Sequence, residues 1–551
     1  MLVVTDLIYS FTVVIIIQTG IFVLIKLLFT RDKPYISNKK NLLPHPPTFP
    51  IVGNLLQLNV RPLEKLYQWN IKYGPIYSIK LGQKYIIILN NHEVVNDLIV
   101  KQGSKYSSKY NFSNLNTILI KSNSTAFTPY GNQWKRDRSI AYSALTSRPI
   151  KSYYNYILKD SDQLLKVLMM KHGQPTYPLQ IFKNFVLTNM LNILFGAQIK
   201  GNDDPFLKDV MKVMDDITEF SYPTSVLNDL MPILKYVYQP SNEKAVKVYQ
   251  QMENLFSSKY NEFLKDYAQG KNLSPSFLSQ IQDEIDEKGK NSIEYEDVWQ
   301  MLVGLLNGAM ETEVNTLMWA VACLANNPGV QEEAFKEIDS VCDKNMPMMV
   351  DELDLPYINA IINETLRYRP PNAFGMIHLS SEDDDYNGYF IPKGTPILLN
   401  LFAINHNERR FIAPDRFRPS RFLSNSSTGS VKTKSILLPQ FEYDPSAIDK
   451  KRKSLFGILK NNSPSLTNNT MPMHMSFGAG RRYCIGQHLA QKQLFLVLAR
   501  ILWAFEIKPD VNKDGSMAEI NLNDGNVSLT SYSPSPYNVR FLLRKDIGLL
   551  I

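Results

Sequence analysis

The sequence predicts a mainly α-helical protein with small β-sheets, an α+β body preceded by one N-terminal transmembrane helix. Three observations carry this expectation. Helical apolar periodicity dominates from about residue 60 to about residue 370. Strand-like runs are short and few, at Ile76–Leu81, Tyr85–Leu89 and Pro396–Leu401, which allows only small sheets. The stretch Leu7–Phe29 is mainly apolar and long enough to cross a bilayer as one helix.

The N-terminal stretch also has an orientation. No Lys or Arg precedes Lys26, which can snorkel from one end, and Arg31, Lys33, Lys39 and Lys40 follow the span. The positive-inside rule then places the rest of the chain in the cytosol. A cleaved signal peptide is the alternative. It would need a basic start and a small-residue cleavage site, and neither is evident. Pro44, Pro46, Pro47 and Pro50 stiffen the next segment and block helix continuation. We divide the chain into an anchor at 1–30, a basic and proline-rich hinge at 31–54 and one body at 55–551. Length alone would suggest roughly three or four domains, but one ordered set of landmarks runs through nearly all of the 551 residues.

The composition, 44% hydrophobic and 20% charged, provides ample core. The net charge of +8 is too small and too scattered to argue for nucleic-acid binding. It suits an anionic membrane surface or an acidic protein partner. Cysteines occur only at 323, 342 and 484, so no disulfide framework is expected, consistent with a reducing compartment.

Within the body, Trp134 and Arg138 lie four apart and share one face of an expected helix. Tyr295–Asn327 reads as one long helix ended by Pro328. Inside it, Thr312 follows Gly308 by four residues, so its hydroxyl can bond the Gly308 carbonyl and bend the helix. Small residues at Gly308 and Ala309 leave room beside the helix, and Glu311 sets an acid next to the alcohol. Glu364 and Arg367 place opposite charges three apart on a helix. Pro371–Ile377 reads as a strand leading to His378. After Arg421, residues 424–470 are rich in Ser, Asn and Lys and read as a solvated, partly disordered surface insertion.

The most specific run is Phe477-Gly-Ala-Gly480-Arg-Arg482-Tyr-Cys484-Ile-Gly486. Cys484 stands just before the apolar, helix-like stretch Leu489–Phe505. A helix N-terminus lowers a thiol pKa and favours the thiolate, the form that ligates iron. Gly478, Gly480 and Gly486 permit a tight loop and close approach of a flat cofactor. Arg482 can pair with a carboxylate of that cofactor, and Phe477 can shield the sulfur.

This spacing, Phe-x-x-Gly-x-Arg-x-Cys-x-Gly, resembles the heme-ligating loop of the cytochrome P450 family. Four further landmarks match in order over roughly residues 30 to 545. The resemblance implies a heme-thiolate monooxygenase with heme b, Cys484 as axial ligand, and Glu311 and Thr312 handling protons and oxygen. It implies that Trp134, Arg138, His378 and Arg482 hold the propionates, and that Glu364, Arg367 and Arg421 form a structural ion triad. Here Ala309 replaces the family's more usual second Gly, and Glu313 stands where a Thr is common.

Electrons are then expected from NADPH through a separate cytochrome P450 reductase, with cytochrome b5 as a further donor and endoplasmic reticulum as the membrane. Lys135, Arg136, Arg481 and Lys492 would offer positive charge to that partner. Tyr110, Phe112, Phe127, Phe220, Leu305, Phe374 and Leu529 suggest an apolar substrate such as a lipid, sterol, terpenoid or xenobiotic. Two alternatives stay open: a heme-thiolate isomerase or dehydratase of peroxides, which tends to lack the acid–threonine pair, and a non-catalytic heme-binding sensor.

Overall fold

The computed structural model describes residue 18 and residues 41–58, 61–110, 126–196, 203–220, 222, 227–231, 242–271, 274–289, 293–423 and 473–544. The expected membrane anchor and the 424–470 insertion lie outside these residues, apart from Gln18. Among the described residues no helix is long and apolar enough to cross a membrane.

Helices make up most of the described body. They are α1 (Pro62–Tyr73), α2 (Asn132–Ser143), α3 (Tyr154–Met170), α4 (Leu179–Phe195), α5 (Pro205–Glu219), α6 (Asn242–Ala268), α7 (Phe277–Lys288), α8 (Tyr295–Ala325), α9 (Pro328–Cys342), α10 (Pro356–Tyr368) and α11 (Gln487–Ala504). Proline in the first turn of α1, α5, α9 and α10 costs no hydrogen bond and presets the helical φ. The 31-residue α8 is buried along most of its length and packs on α4, α10 and α11, so it forms the axis of the core. Trp134, Trp299, Trp319 and Trp503 are all sealed inside. Each indole withdraws about 200 Å² from water, about 5 kcal/mol of transfer free energy before entropy is subtracted.

The strands are β1 (Ile76–Leu81), β2 (Lys84–Leu89), β3 (Ser108–Lys109), β4 (His378–Leu379), β5 (Asp384–Tyr386), β6 (Tyr389–Ile391), β7 (Pro396–Leu399), β8 (Phe505–Pro509), β9 (Gly525–Val527), β10 (Tyr532–Pro534) and β11 (Val539–Leu543). The largest sheet runs β1-β2-β7-β4-β3, and three two-stranded ribbons complete the set. Its β3–β4 pairing sets Lys109 directly across from His378, two residues far apart in sequence that meet only through the register.

Two strand expectations need correction. Pro371–Ile377 is not a strand; the ladder starts at His378. Pro370 and Pro371 cannot donate to a ladder, and Gly375 turns the chain at φ +61. The strand at Pro396 stops at Leu399 rather than Leu401, because Asn400 Oδ1 accepts from Ala403 N–H at 3.2 Å and caps the short helix Leu401–Asn405.

Candidate active site

Local backbone chemistry shapes the cysteine loop first. Cys484 N–H donates to the Phe477 carbonyl at 2.9 Å, closing the loop on itself. Gly478 and Gly480 sit at φ +78 and +61. A Cβ on Gly480 would lie 2.4 Å from the Ile99 carbonyl oxygen, inside contact distance, so only glycine lets the loop press on the π-helical segment Asn96–Lys101. Gly486 then caps α11, slightly earlier than the sequence suggested. The Cys484 side chain is accessible while protein surrounds it, as for a group on the wall of an internal cleft. Burial pushes its thiol up. The N–H groups of Gly486 and Gln487 and the Arg138 guanidinium pull it down without prevailing. The expected lowering by the helix N-terminus is therefore outweighed by desolvation.

The second wall comes from α8. Gly308 is exposed at the middle of this largely buried helix, and a Cβ there would meet nothing within 4 Å. Open space therefore adjoins the centre of the core. Thr312 Oγ1–H donates to the Gly308 carbonyl at 2.6 Å, the bond its spacing predicts, and Thr316 repeats the pattern to the Thr312 carbonyl at 2.7 Å. Glu311 points elsewhere. It accepts a hydrogen bond from Thr530 Oγ1 at 2.8 Å, and burial raises its carboxyl pKa against the opposing pull of Thr530, Thr218 and Lys183.

A basic cluster lies beside the loop. Arg482 donates through Nε to the Ser107 carbonyl at 2.7 Å and through Nη2 to the Thr128 carbonyl at 2.6 Å. Arg138 donates to the Tyr483 carbonyl. Trp134 is buried against both guanidiniums, 4.2 Å from Arg482 and 5.3 Å from Arg138. His378 bonds the Tyr106 carbonyl through Nδ1 at 2.7 Å, so its other ring nitrogen carries no proton in the neutral form. Lys109, across the strand register, donates to the Met376 carbonyl at 2.7 Å. Burial, Arg482 and Arg138 hold the Lys109 amine well below the ordinary lysine range, and burial, Lys109 and Arg482 do the same to His378. Buried basic groups that repel one another are stabilised by anions. The donor set therefore fits a flat cofactor carrying two carboxylates, with the Cys484 sulfur as a soft ligand for its iron. Lys109 was missed from the sequence. It carries no motif, and only the β3–β4 register brings it here.

The charged triad assembles around Glu364, which is fully buried. Arg367 donates to it through Nε and Nη2 at 2.7 and 2.8 Å, and Arg421 Nε lies 2.9 Å away. Arg418 N–H adds a bond at 2.7 Å. Arg367 also reaches the Asn405 and Pro414 carbonyls, so α10 is tied to the 405–421 segment. Ser476, which sequence reasoning did not single out, carries the tie onward. It donates to the Leu366 carbonyl at 2.7 Å and accepts from Asn405, just ahead of the cysteine loop.

Other expected residues separate. Arg136 is ion-paired with Asp137 and Asp297, and Lys492 with Glu352, so neither is a free surface charge. Lys135 and Arg481 flank the Tyr130 ring at 5.5 and 5.1 Å. Phe127 and Phe220 are buried; Tyr110, Leu305, Phe374 and Leu529 are partly buried; Phe112 lies outside the described residues.

Comparison with known proteins gives one consistent answer. The family model described as Cytochrome P450 matches residues 43–531. Cytochrome P450 monooxygenase verL of Clonostachys rogersoniana is 29% identical over 511 residues, 91% of this chain and 86% of that protein. Cytochrome P450 monooxygenase virE of Hypocrea virens is 28% identical, covering 92% and 86%. Cytochrome P450 monooxygenase 58 of Postia placenta is 26% identical, covering 89% and 86%.

Proposed function

The chain belongs to the cytochrome P450 family, and from that premise we propose that it is a membrane-anchored heme-thiolate monooxygenase acting on an apolar organic substrate. The observation that carries the reading is the accessible Cys484 thiol at the head of α11, held in a loop that closes on the Phe477 carbonyl. Cys484, Arg138, Arg482, His378 and Lys109 would hold heme b, which when bound would supply the redox chemistry for inserting one oxygen atom of O2 into the substrate.

The remaining work falls to side chains. Lys109, His378, Arg138 and Arg482 would receive the propionates, with Trp134 stiffening the two guanidiniums by stacking. Phe477 would shield the sulfur side. Thr312 holds its hydroxyl proton on the Gly308 carbonyl at the open centre of α8 and can turn it toward oxygen; Glu311, whose carboxyl burial pushes up, adjoins it in sequence on the same helix. Electrons would come from NADPH through a separate cytochrome P450 reductase, with cytochrome b5 as a further donor. Lys135 and Arg481 are the charges retained for docking on the cysteine side. The anchor would place the body on the cytosolic face of the endoplasmic reticulum.

The test is the carbon monoxide difference spectrum of the reduced, heme-loaded protein. A thiolate-type Soret band, lost in Cys484→Ala, is expected. A heme-replete, folded protein without that band would overturn the assignment.

A further inference from the structure

We propose that Thr530 and Thr218 are positioning residues for Glu311, two hydroxyls from separate elements that hold its carboxyl between them. Thr530 stands in the turn between β9 and β10 and donates to Glu311 Oε2 at 2.8 Å. Thr218, near the end of α5, hydrogen-bonds the same carboxyl. Neither element is continuous with α8, which carries the acid.

Both supports are themselves braced. The Thr530 and Ser531 N–H groups donate to Ser528 Oγ at 3.2 and 2.9 Å, and Ser528 and Ser531 hydroxyls bond each other at 2.9 Å. The turn thus presents Thr530 on a fixed backbone. On the other side, Asp215 of α5 pairs with Lys183 of α4 at 2.7 Å. Lys183 is the charged group that acts on Glu311, and its charge is already shared with Asp215.

The hydroxyl chemistry suits either protonation state. Thr218 donates its single proton to the Met214 carbonyl at 3.0 Å. In that rotamer its oxygen can only accept, which serves the neutral acid with its proton directed at Thr218 and its carbonyl oxygen receiving Thr530. When Glu311 ionises, Thr218 can turn its proton from Met214 to the carboxylate. A displacement of α5 or of the β9–β10 turn would remove one support and change the acid's proton affinity. The consequence for turnover rests on the monooxygenase reading; the contact itself does not.

The test reads the carboxyl directly in the full-chain, heme-loaded protein. Infrared spectra are recorded against pH, and the Glu311 C=O stretch is assigned by its loss in Glu311→Gln. Thr530→Val should move that band to higher frequency and raise its titration midpoint by about one pH unit, while Thr530→Ser restores both. Thr218→Val should also displace the band. A band unmoved in Thr530→Val, or moved equally in Thr530→Ser, overturns the proposal. Should Thr530→Val fail to fold, an unmoved band in Thr218→Val overturns it instead. No step needs turnover, so a protein inactive as a monooxygenase still returns an answer.

Discussion

Glu313 follows Thr312 on α8, is 3% exposed, and finds no hydrogen-bond partner for either carboxyl oxygen among the described residues. Burial pushes its carboxyl up to about 8 from the ordinary 4.5. The sign follows from linkage. Above the ordinary value the unfolded chain ionises while the folded chain holds the proton, so stability falls as pH rises from 4.5 to about 8 and then levels. At pH 7 the penalty is about 3 kcal/mol. Glu313→Gln should flatten this slope and raise stability at pH 7 by about 2 kcal/mol; denaturant unfolding at pH 5 and pH 8 checks it, and an unchanged slope would refute the neutral-acid reading. Lys109 makes the opposite kind of prediction. Lys109→Met should stabilise the apoprotein, since a buried amine whose charged form is opposed by burial, Arg482 and Arg138 is removed. It should also speed heme loss about tenfold, the worth of one charge-assisted bond. Melting of apoprotein and heme transfer to an acceptor protein measure the two effects separately.

At the scale of elements, two joints hold the cysteine loop. One is the contact of Gly480 on the π-helical segment Asn96–Lys101, where a methyl group would meet a carbonyl oxygen at 2.4 Å. Gly480→Ala therefore forces the loop away from that segment, at a cost of about 1–3 kcal/mol for the strained φ alone. The expected outcome is a lowered heme-to-protein ratio at normal expression. The other joint is the Glu364–Arg367–Arg421 network between α10 and the 405–421 segment. Arg421→Ala leaves a buried carboxylate short of one partner, a loss of about 3–5 kcal/mol. Urea unfolding should show it, and Arg421→Lys should recover only part, because the guanidinium also serves the Ile412, Ala413 and Arg416 carbonyls. These elements were largely legible. Glu364 and Arg367 show their pairing by spacing alone, whereas the Ser476 link to the Leu366 carbonyl has no sequence signal because a serine hydroxyl bonds whatever carbonyl the fold presents.

At the scale of the molecule, the helical body is expected to fold without the proposed anchor. Removing residues 1–30 should move the protein from the membrane pellet toward the supernatant while leaving the carbon monoxide spectrum intact; a lost spectrum would make the segment part of the fold. The positive charge proposed for an electron-donating partner is smaller than composition suggests, because Arg136 and Lys492 are neutralised internally. Lys135→Glu and Arg481→Glu should accordingly slow reduction by the reductase, with a strong dependence on ionic strength.

By itself the sequence determined the class of the fold, the family, the cysteine loop and the Thr312–Gly308 bond, because each depends on residues close in the chain with a fixed spacing. Tertiary structure decided what depends on long-range register and on burial. It placed Lys109 opposite His378, clamped Glu311 to Thr530 and Thr218, and reversed the expected shift of the Cys484 thiol. Desolvation is a property of everything packed around a group, and a strand's partner is set by another strand hundreds of residues away.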